Sequence, residues 1–182
     1  MRTVLCITLC LMTHAAAFAQ GLIRFENSGS GLNAPVTNGM TGLRASGTSF
    51  VVQLYGGPAS ELEQNLTPLG GTTTFFSGGL AGYFTGGTVT NNFVLPGSAG
   101  TFQVRAWSSG FDSYEEALAA ASGDPNVCVG KSLLFQNGTG INSGEVLSGL
   151  KSFTITPVPE PGAVGLLLLA GAALFTLRQK RR

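Results

Sequence analysis

The sequence predicts an all-β fold, a single β-sandwich or jelly-roll-like domain with one short helix. Three observations lead to this prediction. Apolar and polar residues alternate in several short runs, the pattern of strands buried on one face. Glycine, asparagine and proline separate these runs, as turns require. The body that carries the runs, residues 20–156, has the size of one domain with a sizeable core.

Four runs alternate clearly, and each contains the β-branched or aromatic residues that strands favour. In each run one set of side chains is apolar and is expected to face the core. The runs and these inward residues are 22–26 with Ile23 and Phe25, 50–55 with Phe50, Val52 and Leu54, 101–107 with Phe102, Val104 and Ala106, and 152–156 with Phe153 and Ile155.

Between the second and third of these runs the chain repeats a Phe-Ser/Thr-Gly-Gly pattern, at 76–79 and again at 84–87. Gly-Gly pairs accept the positive φ angles of tight hairpin turns. The repeat therefore predicts a meander of short strands, with a turn at each glycine pair.

One segment departs from the β pattern. Ser113 has a glutamate three residues later, Glu116, which is the spacing of a capping box, and strong helix formers follow. Gly123 and Pro125 then stop the helix. We predict a helix of about two turns that covers one end of the sheets.

The N-terminus has the features of a signal peptide. A positive start and a short apolar run precede Ala17-Phe18-Ala19, the small-x-small pattern that a signal peptidase accepts. We predict a signal peptide over 1–19, cleaved between Ala19 and Gln20. The apolar run is far shorter than the ~20 residues that a membrane anchor needs.

Removal of the signal peptide would change which reactive residues remain. Cys6, Cys10 and His14, the only histidine, all lie within it, which leaves Cys128 as the single cysteine. The mature chain would then lack the usual general base and the commonest metal ligand. The sequence accordingly predicts no cofactor, no metal site and no enzymatic activity. Cys128 lies between two valines and is predicted to be a small buried hydrophobic residue.

Two carboxylate pairs are candidates for glycoside hydrolysis, Glu61 with Glu63 and Glu115 with Glu116. That reaction needs two carboxyl groups facing each other across a sugar, about 5 to 9.5 Å apart. Adjacent helical residues diverge, and Glu116 already has a capping role. Both pairs are therefore interpreted as solvated surface residues.

Trp107 is the strongest candidate for ligand contact. Alternation places it on one face with Gln103 and Arg105, and an exposed aromatic beside hydrogen-bonding side chains can stack on a sugar ring, with Tyr55 or Tyr83 as a second platform. In the alternative, Trp107 ends its strand beneath the helix that follows, and Arg105 stacks on it. A single aromatic side chain is commonly buried by local packing, which favours the alternative.

Charge argues against a nucleic-acid partner. From residue 20 to residue 157 the chain has five basic and eight acidic residues, a formal charge of −3. The body therefore has no basic patch to neutralise phosphates.

The C-terminus combines an apolar segment with a basic end. Residues 162–177 carry no charge, and as a helix they would span about 24 Å, slightly less than a ~30 Å hydrocarbon core. We predict a transmembrane helix over about 162–177 whose basic tail stops transfer and stays cytoplasmic. The tail consists of Arg178, Lys180, Arg181 and Arg182.

A proline-rich segment precedes this helix, with Glu160 as its only acidic residue. The motif Val158-Pro159-Glu160-Pro161, followed by a short apolar helix and a basic end, resembles the PEP-CTERM sorting signal of Gram-negative bacteria. The predicted sorting segment covers residues 157–182. The resemblance implies recognition and cleavage of the motif by an exosortase-type protease.

The resemblance also implies a location. Proteins of this family are proposed to join a biofilm or surface matrix rich in exopolysaccharide. The chain is therefore expected to be an exported, non-enzymatic protein, held transiently in the inner membrane and then sorted to the envelope, surface or extracellular space. The alternatives are a carbohydrate-binding module for exopolysaccharide and, third, a glycan-acting enzyme. The body resembles poorly characterised PEP-CTERM proteins, which have no established activity.

Overall fold

The computed structural model describes residues 20–158. The predicted signal peptide, with Ala17 and Ala19, lies outside the described residues. So do Pro159, Glu160 and Pro161 of the predicted sorting motif, the predicted transmembrane helix and the basic tail. Among residues 20–158, no helix is long and apolar enough to cross a membrane.

The described part of the chain consists mostly of β-strands and contains one α-helix, as the sequence predicts. Three short 3₁₀ turns, Gly47–Ser49, Glu63–Asn65 and Gly78–Leu80, lie in the connections. The strands and the helix are β1 Gly21–Glu26, β2 Ser28–Gly29, β3 Leu32–Asn33, β4 Thr37–Asn38, β5 Phe50–Gly57, β6 Thr67–Thr74, β7 Thr85–Asn91, β8 Ala99–Ser108, α1 Tyr114–Ala121, β9 Cys128–Lys131, β10 Phe135–Gly138, β11 Glu145–Val146 and β12 Thr154–Pro157.

Two main sheets organise these strands. The larger, seven-stranded sheet has the order β4-β12-β9-β8-β5-β6, and β10 also pairs with β8. The smaller sheet has the order β11-β1-β7, while β2 and β3 form a separate hairpin. The longest ladder joins β5 to β8 in antiparallel register, from Phe50 opposite Ser108 to Gly57 opposite Thr101. This ladder is the platform on which the candidate site is built.

Both main sheets contribute to one hydrophobic core, and the predicted inward residues lie in it. Nine of the ten are buried, while Phe153 is partly buried and packs against the same core. At its centre Phe84 contacts Phe25 with ring centroids 4.9 Å apart and Phe75 at 5.7 Å in an edge-to-face arrangement. Period-two alternation therefore identified the core faces of these strands correctly.

A buried asparagine, which the sequence pattern did not reveal, joins β1 to two loops. The Asn27 amide nitrogen donates hydrogen bonds to the carbonyl oxygens of Ala34 and Gly82, each at 2.8 Å. Its amide oxygen accepts one from the backbone N–H of Phe84, also at 2.8 Å. All three bonds are made inside the core, where an unpaired polar group would be costly.

A turn lies at the first Gly-Gly pair, as predicted, but the prediction of a turn at the second pair is wrong. Gly78 and Gly79 begin a 3₁₀ turn, whereas Gly86 and Gly87 lie inside β7. The pairing of β7 with β1 shifts register here, as at a β-bulge, and Gly87 has φ +75°, a conformation that favours glycine. A side chain at Gly86 would also overlap the ring of Phe25. The second glycine pair therefore allows the bulge and the close packing of β7 against Phe25.

Helix α1 begins as predicted. Ser113 is the N-cap, and its side-chain oxygen accepts a hydrogen bond from the Glu116 backbone N–H at 3.1 Å. The Glu116 carboxylate accepts one from the backbone N–H of Asp112 at 3.0 Å, one residue before the cap. Tyr114, Ala117 and Ala121 face inward and bring the helix against β8 and β9.

The last described strand lies inside the larger sheet. β12 runs parallel to β4 and antiparallel to β9, with Thr156 opposite Val129 and Pro157 opposite Cys128. Val158, the next residue, packs against the side-chain cluster beneath α1. The first residue of the predicted sorting motif therefore contacts the folded domain directly.

Candidate functional site

The four residues of the predicted sugar-binding face lie on neighbouring strands, but they are buried. Trp107 is 0% exposed, Gln103 1%, Tyr55 2% and Arg105 7%. The hypothesis of an exposed sugar-stacking face is therefore wrong, and the alternative that the sequence favours, burial of Trp107 beneath the helix, is correct. Alternation correctly placed Gln103, Arg105 and Trp107 on one face, but helix α1 covers that face. A sugar ring has no access to the indole of Trp107.

Trp107 instead packs beneath α1, as the alternative interpretation has it. Its ring lies 6.3 Å from that of Tyr114 in an edge-to-face arrangement. The indole N–H donates a hydrogen bond to the carbonyl oxygen of Phe111 at 3.0 Å. Arg105, however, does not stack on Trp107. Its guanidinium carbon lies 4.0 Å from the ring centroid of Tyr55 and 5.2 Å from that of Tyr114.

Arg105 is the centre of a polar network between β8, α1 and the 3₁₀ turn Glu63–Asn65. Its Nε donates to Gln103 Oε1 at 2.8 Å, and one terminal nitrogen donates to Glu115 Oε1 at 2.7 Å. The other terminal nitrogen donates to the carbonyl oxygen of Glu63 at 3.1 Å. Every nitrogen of the guanidinium therefore has a partner, and the side chain has one fixed orientation.

Tyr55 extends this network to the other oxygen of Glu115. Its hydroxyl donates to Glu115 Oε2 at 2.9 Å. Burial raises the pKa of Tyr55 above its ordinary value of 10, and the hydrogen bond to Glu115 raises it further. Burial also raises the pKa of Tyr114.

These raised pKa values predict a loss of stability at alkaline pH. Above pH 10 the unfolded chain releases its phenolic protons, while the folded protein retains them, so ionisation favours unfolding. Below pH 10 the tyrosines cause no such loss. Urea unfolding between about pH 8 and pH 11, followed by Trp107 fluorescence, should show this decline. In Tyr55→Phe the decline should be shallower, and an unchanged slope would contradict the assignment to Tyr55.

In the folded protein, the glutamates that are neighbours in the sequence have separate hydrogen-bond partners. Glu61 accepts hydrogen bonds from the Asn65 side chain at 2.7 Å and from the Leu62 backbone at 3.1 Å, and Glu116 caps α1. Glu63 forms an ion pair with Lys131 of β9, whose hydrogen bond holds the pKa of Glu63 below its usual value. Neither sequence pair forms a facing pair across a cleft.

Glu63 and Glu115 instead line the same cleft, with Arg105 and Lys131. This helix cleft has a volume of about 390 Å³. Glu115 and Lys131 are exposed, so both can reach a ligand, whereas Arg105 forms part of the buried wall. The helix cleft is lined by Glu63, Gln64, Leu66, Arg105, Tyr114, Glu115, Leu118 and Lys131.

A larger groove of about 540 Å³ lies between the β2–β3 hairpin and β11. Glu145 and Lys151 are its charged residues, and neither forms a salt bridge with a described residue. Among the described residues, this groove has no hydrogen-bond network like that of Arg105 linking the elements around it. We therefore regard the helix cleft as the better candidate site.

Cys128 is buried, as predicted, and burial raises the pKa of its thiol. It therefore packs as a small apolar side chain. Within residues 20–158, no group of three or more His, Cys, Asp or Glu side chains could hold a metal ion. Asp124 accepts hydrogen bonds from the backbone and side chain of Asn126.

No protein-family model, curated protein or solved structure matches the chain. Two features of the chain bear on its function, the predicted signals at the two ends of the sequence and the helix cleft of the described domain.

Proposed function

We propose that this chain is an exported, non-enzymatic protein of the cell surface or extracellular matrix. An exosortase-type protease sorts it by cleaving at the C-terminal PEP motif. The observation that carries this proposal is the order of four sequence features. A signal peptide begins the chain, and the Pro-Glu-Pro motif, an apolar segment and a basic end close it.

The partners of this pathway follow from those features. Signal peptidase releases residues 1–19, the segment 162–177 holds the protein transiently in the inner membrane, and the protease then acts on the motif. The exported body is a β-sandwich, a proposal supported by two sheets that share one core. Its destination is the envelope, surface or exopolysaccharide matrix. No nucleic acid and no cofactor take part.

A glycan-acting enzyme is not favoured, although Glu63 and Glu115 line one cleft. Glycoside hydrolysis needs a carboxylic acid whose pKa is raised, so that it remains protonated. Lys131 lowers the pKa of Glu63, and Glu115 already accepts hydrogen bonds from Arg105 and Tyr55. The ion pair with Lys131 therefore favours an ionised Glu63, and the two hydrogen bonds of Glu115 give its carboxylate a structural role.

Intact-mass analysis of the protein secreted by its native host tests the sorting proposal. The expected mass corresponds to a chain that begins at Gln20 and ends near the motif at 159–161. A mass that includes the basic tail would contradict cleavage at the motif. A mass that includes residues 1–19 would contradict the signal peptide.

A further inference from the structure

We propose that the helix cleft binds an uncharged oligosaccharide. This inference concerns a different feature from the sorting signal and does not depend on how the C-terminus is processed. It also differs from a sugar platform on Trp107, because the ligand would contact the cleft rim formed by Glu63, Gln64, Glu115 and Lys131.

The charges of the cleft favour a neutral ligand. Its two acidic and two basic side chains already form two ion pairs, Glu63 with Lys131 and Arg105 with Glu115. A charged ligand would compete with these ion pairs for charged groups that are already neutralised. A sugar hydroxyl can donate to the unused lone pairs of a carboxylate and accept from the remaining ammonium protons, so it leaves both pairs intact.

The cleft also offers apolar contact. Leu118 of α1 is 40% exposed and the buried Leu66 also lines the cleft, so the wall presents aliphatic surface beside the polar rim. Sugar rings carry C–H groups on their faces and hydroxyls at their edges, and a wall of this mixed kind complements both. The volume of about 390 Å³ lies within the ~300–1,000 Å³ of small-molecule sites.

The site is held rigid before any ligand arrives. Arg105 is fixed by Gln103, Glu115 and the Glu63 carbonyl, and it lies against Tyr55. This network joins the sheet, the helix and the 3₁₀ turn, the three elements that form the walls. A rigid site loses little conformational entropy on binding, which improves affinity for a weakly held polar ligand.

Isothermal titration calorimetry on the full chain provides the test, in a detergent without a sugar headgroup. The neutral probes are cellohexaose, laminarihexaose and maltohexaose, and trigalacturonic acid is the anionic comparison. At least one neutral probe should bind, with an affinity that does not change with salt concentration. Binding of the anionic probe alone, weakened by salt, would overturn the proposal, as would no binding of the three neutral sugars.

Matched variants locate the binding. Lys131→Met removes hydrogen-bond donors and Leu118→Ala removes apolar contact, and each should weaken binding about fivefold. Lys151→Met and Leu80→Ala change the same residue types outside the helix cleft and should leave the affinity unchanged. Thermal unfolding of all four variants checks that each is folded. If the cleft variants bind as tightly as their controls, the helix cleft is not the site.

Discussion

Replacement of Arg105 by methionine should lower the free energy of unfolding by about 3 kcal/mol, a large part of the 5–15 kcal/mol typical of a domain. Arg105 is 7% exposed, and its guanidinium binds Gln103, Glu115 and the Glu63 carbonyl. Methionine would fill much of the space, but it would leave the buried Gln103 oxygen without its donor. Glu115 is 59% exposed, so water can solvate its carboxylate and the loss stays below that of a fully buried pair.

Urea denaturation followed by the fluorescence of Trp107, the only tryptophan, measures this change. Arg24→Met is the matched control, because Arg24 is 43% exposed in its ion pair with Glu26. It should cost less than about 1 kcal/mol. Arg105→Lys should recover only part of the stability, since an ammonium group cannot reproduce the fork of the guanidinium. Equal midpoints for Arg105→Met and Arg24→Met would show that the network contributes little.

Glu160→Ala should abolish C-terminal processing while export continues. Glu160 is the only acidic residue of the proline-rich segment and therefore the natural charge for a protease to recognise. The prolines favour extended backbone, the form in which a protease accepts its substrate. The substitution leaves the predicted signal peptide unchanged, so the N-terminus should still be Gln20.

Intact mass again provides the measurement, together with the distribution between membrane and medium. The variant should retain its basic tail and remain in the membrane fraction. Glu145→Ala, which removes an exposed carboxylate from the folded domain, is the control and should be processed normally. Processing of Glu160→Ala to the wild-type mature mass would reject the role proposed for this carboxylate.

Much of the fold could be predicted from short stretches of sequence. The alternation around Ile23, Phe50 and Phe102 identified core faces because successive side chains of a strand point to opposite sides. Ser113 and Glu116 identified the start of α1 because a cap is completed within a few residues. The second Gly-Gly pair lies at a bulge and not at the predicted turn, since a positive φ suits either.

The candidate site depends on contacts that neighbouring residues in the sequence do not predict. Alternation grouped Gln103, Arg105 and Trp107 correctly but could not show that a helix covers them. Tyr55 and Glu115, which share a hydrogen bond, are 60 residues apart in the chain. Arg105 and the carbonyl that it binds are 42 residues apart. No spacing of residues in the sequence predicts such contacts. Glu115 was the only indication of the network, because it is an acidic residue on the helix expected to lie near Arg105.

The order of residues alone predicted the strand faces, the helix start and the burial of Cys128, and it shows that residues 20–158 contain no histidine. It also carries the terminal motifs on which the sorting proposal rests. The packing of distant segments buries the polar face of β8 and brings Glu63 and Glu115 to one cleft. Periodicity could not show this, because it reports how neighbouring residues are oriented, whereas burial depends on the segments that pack over them.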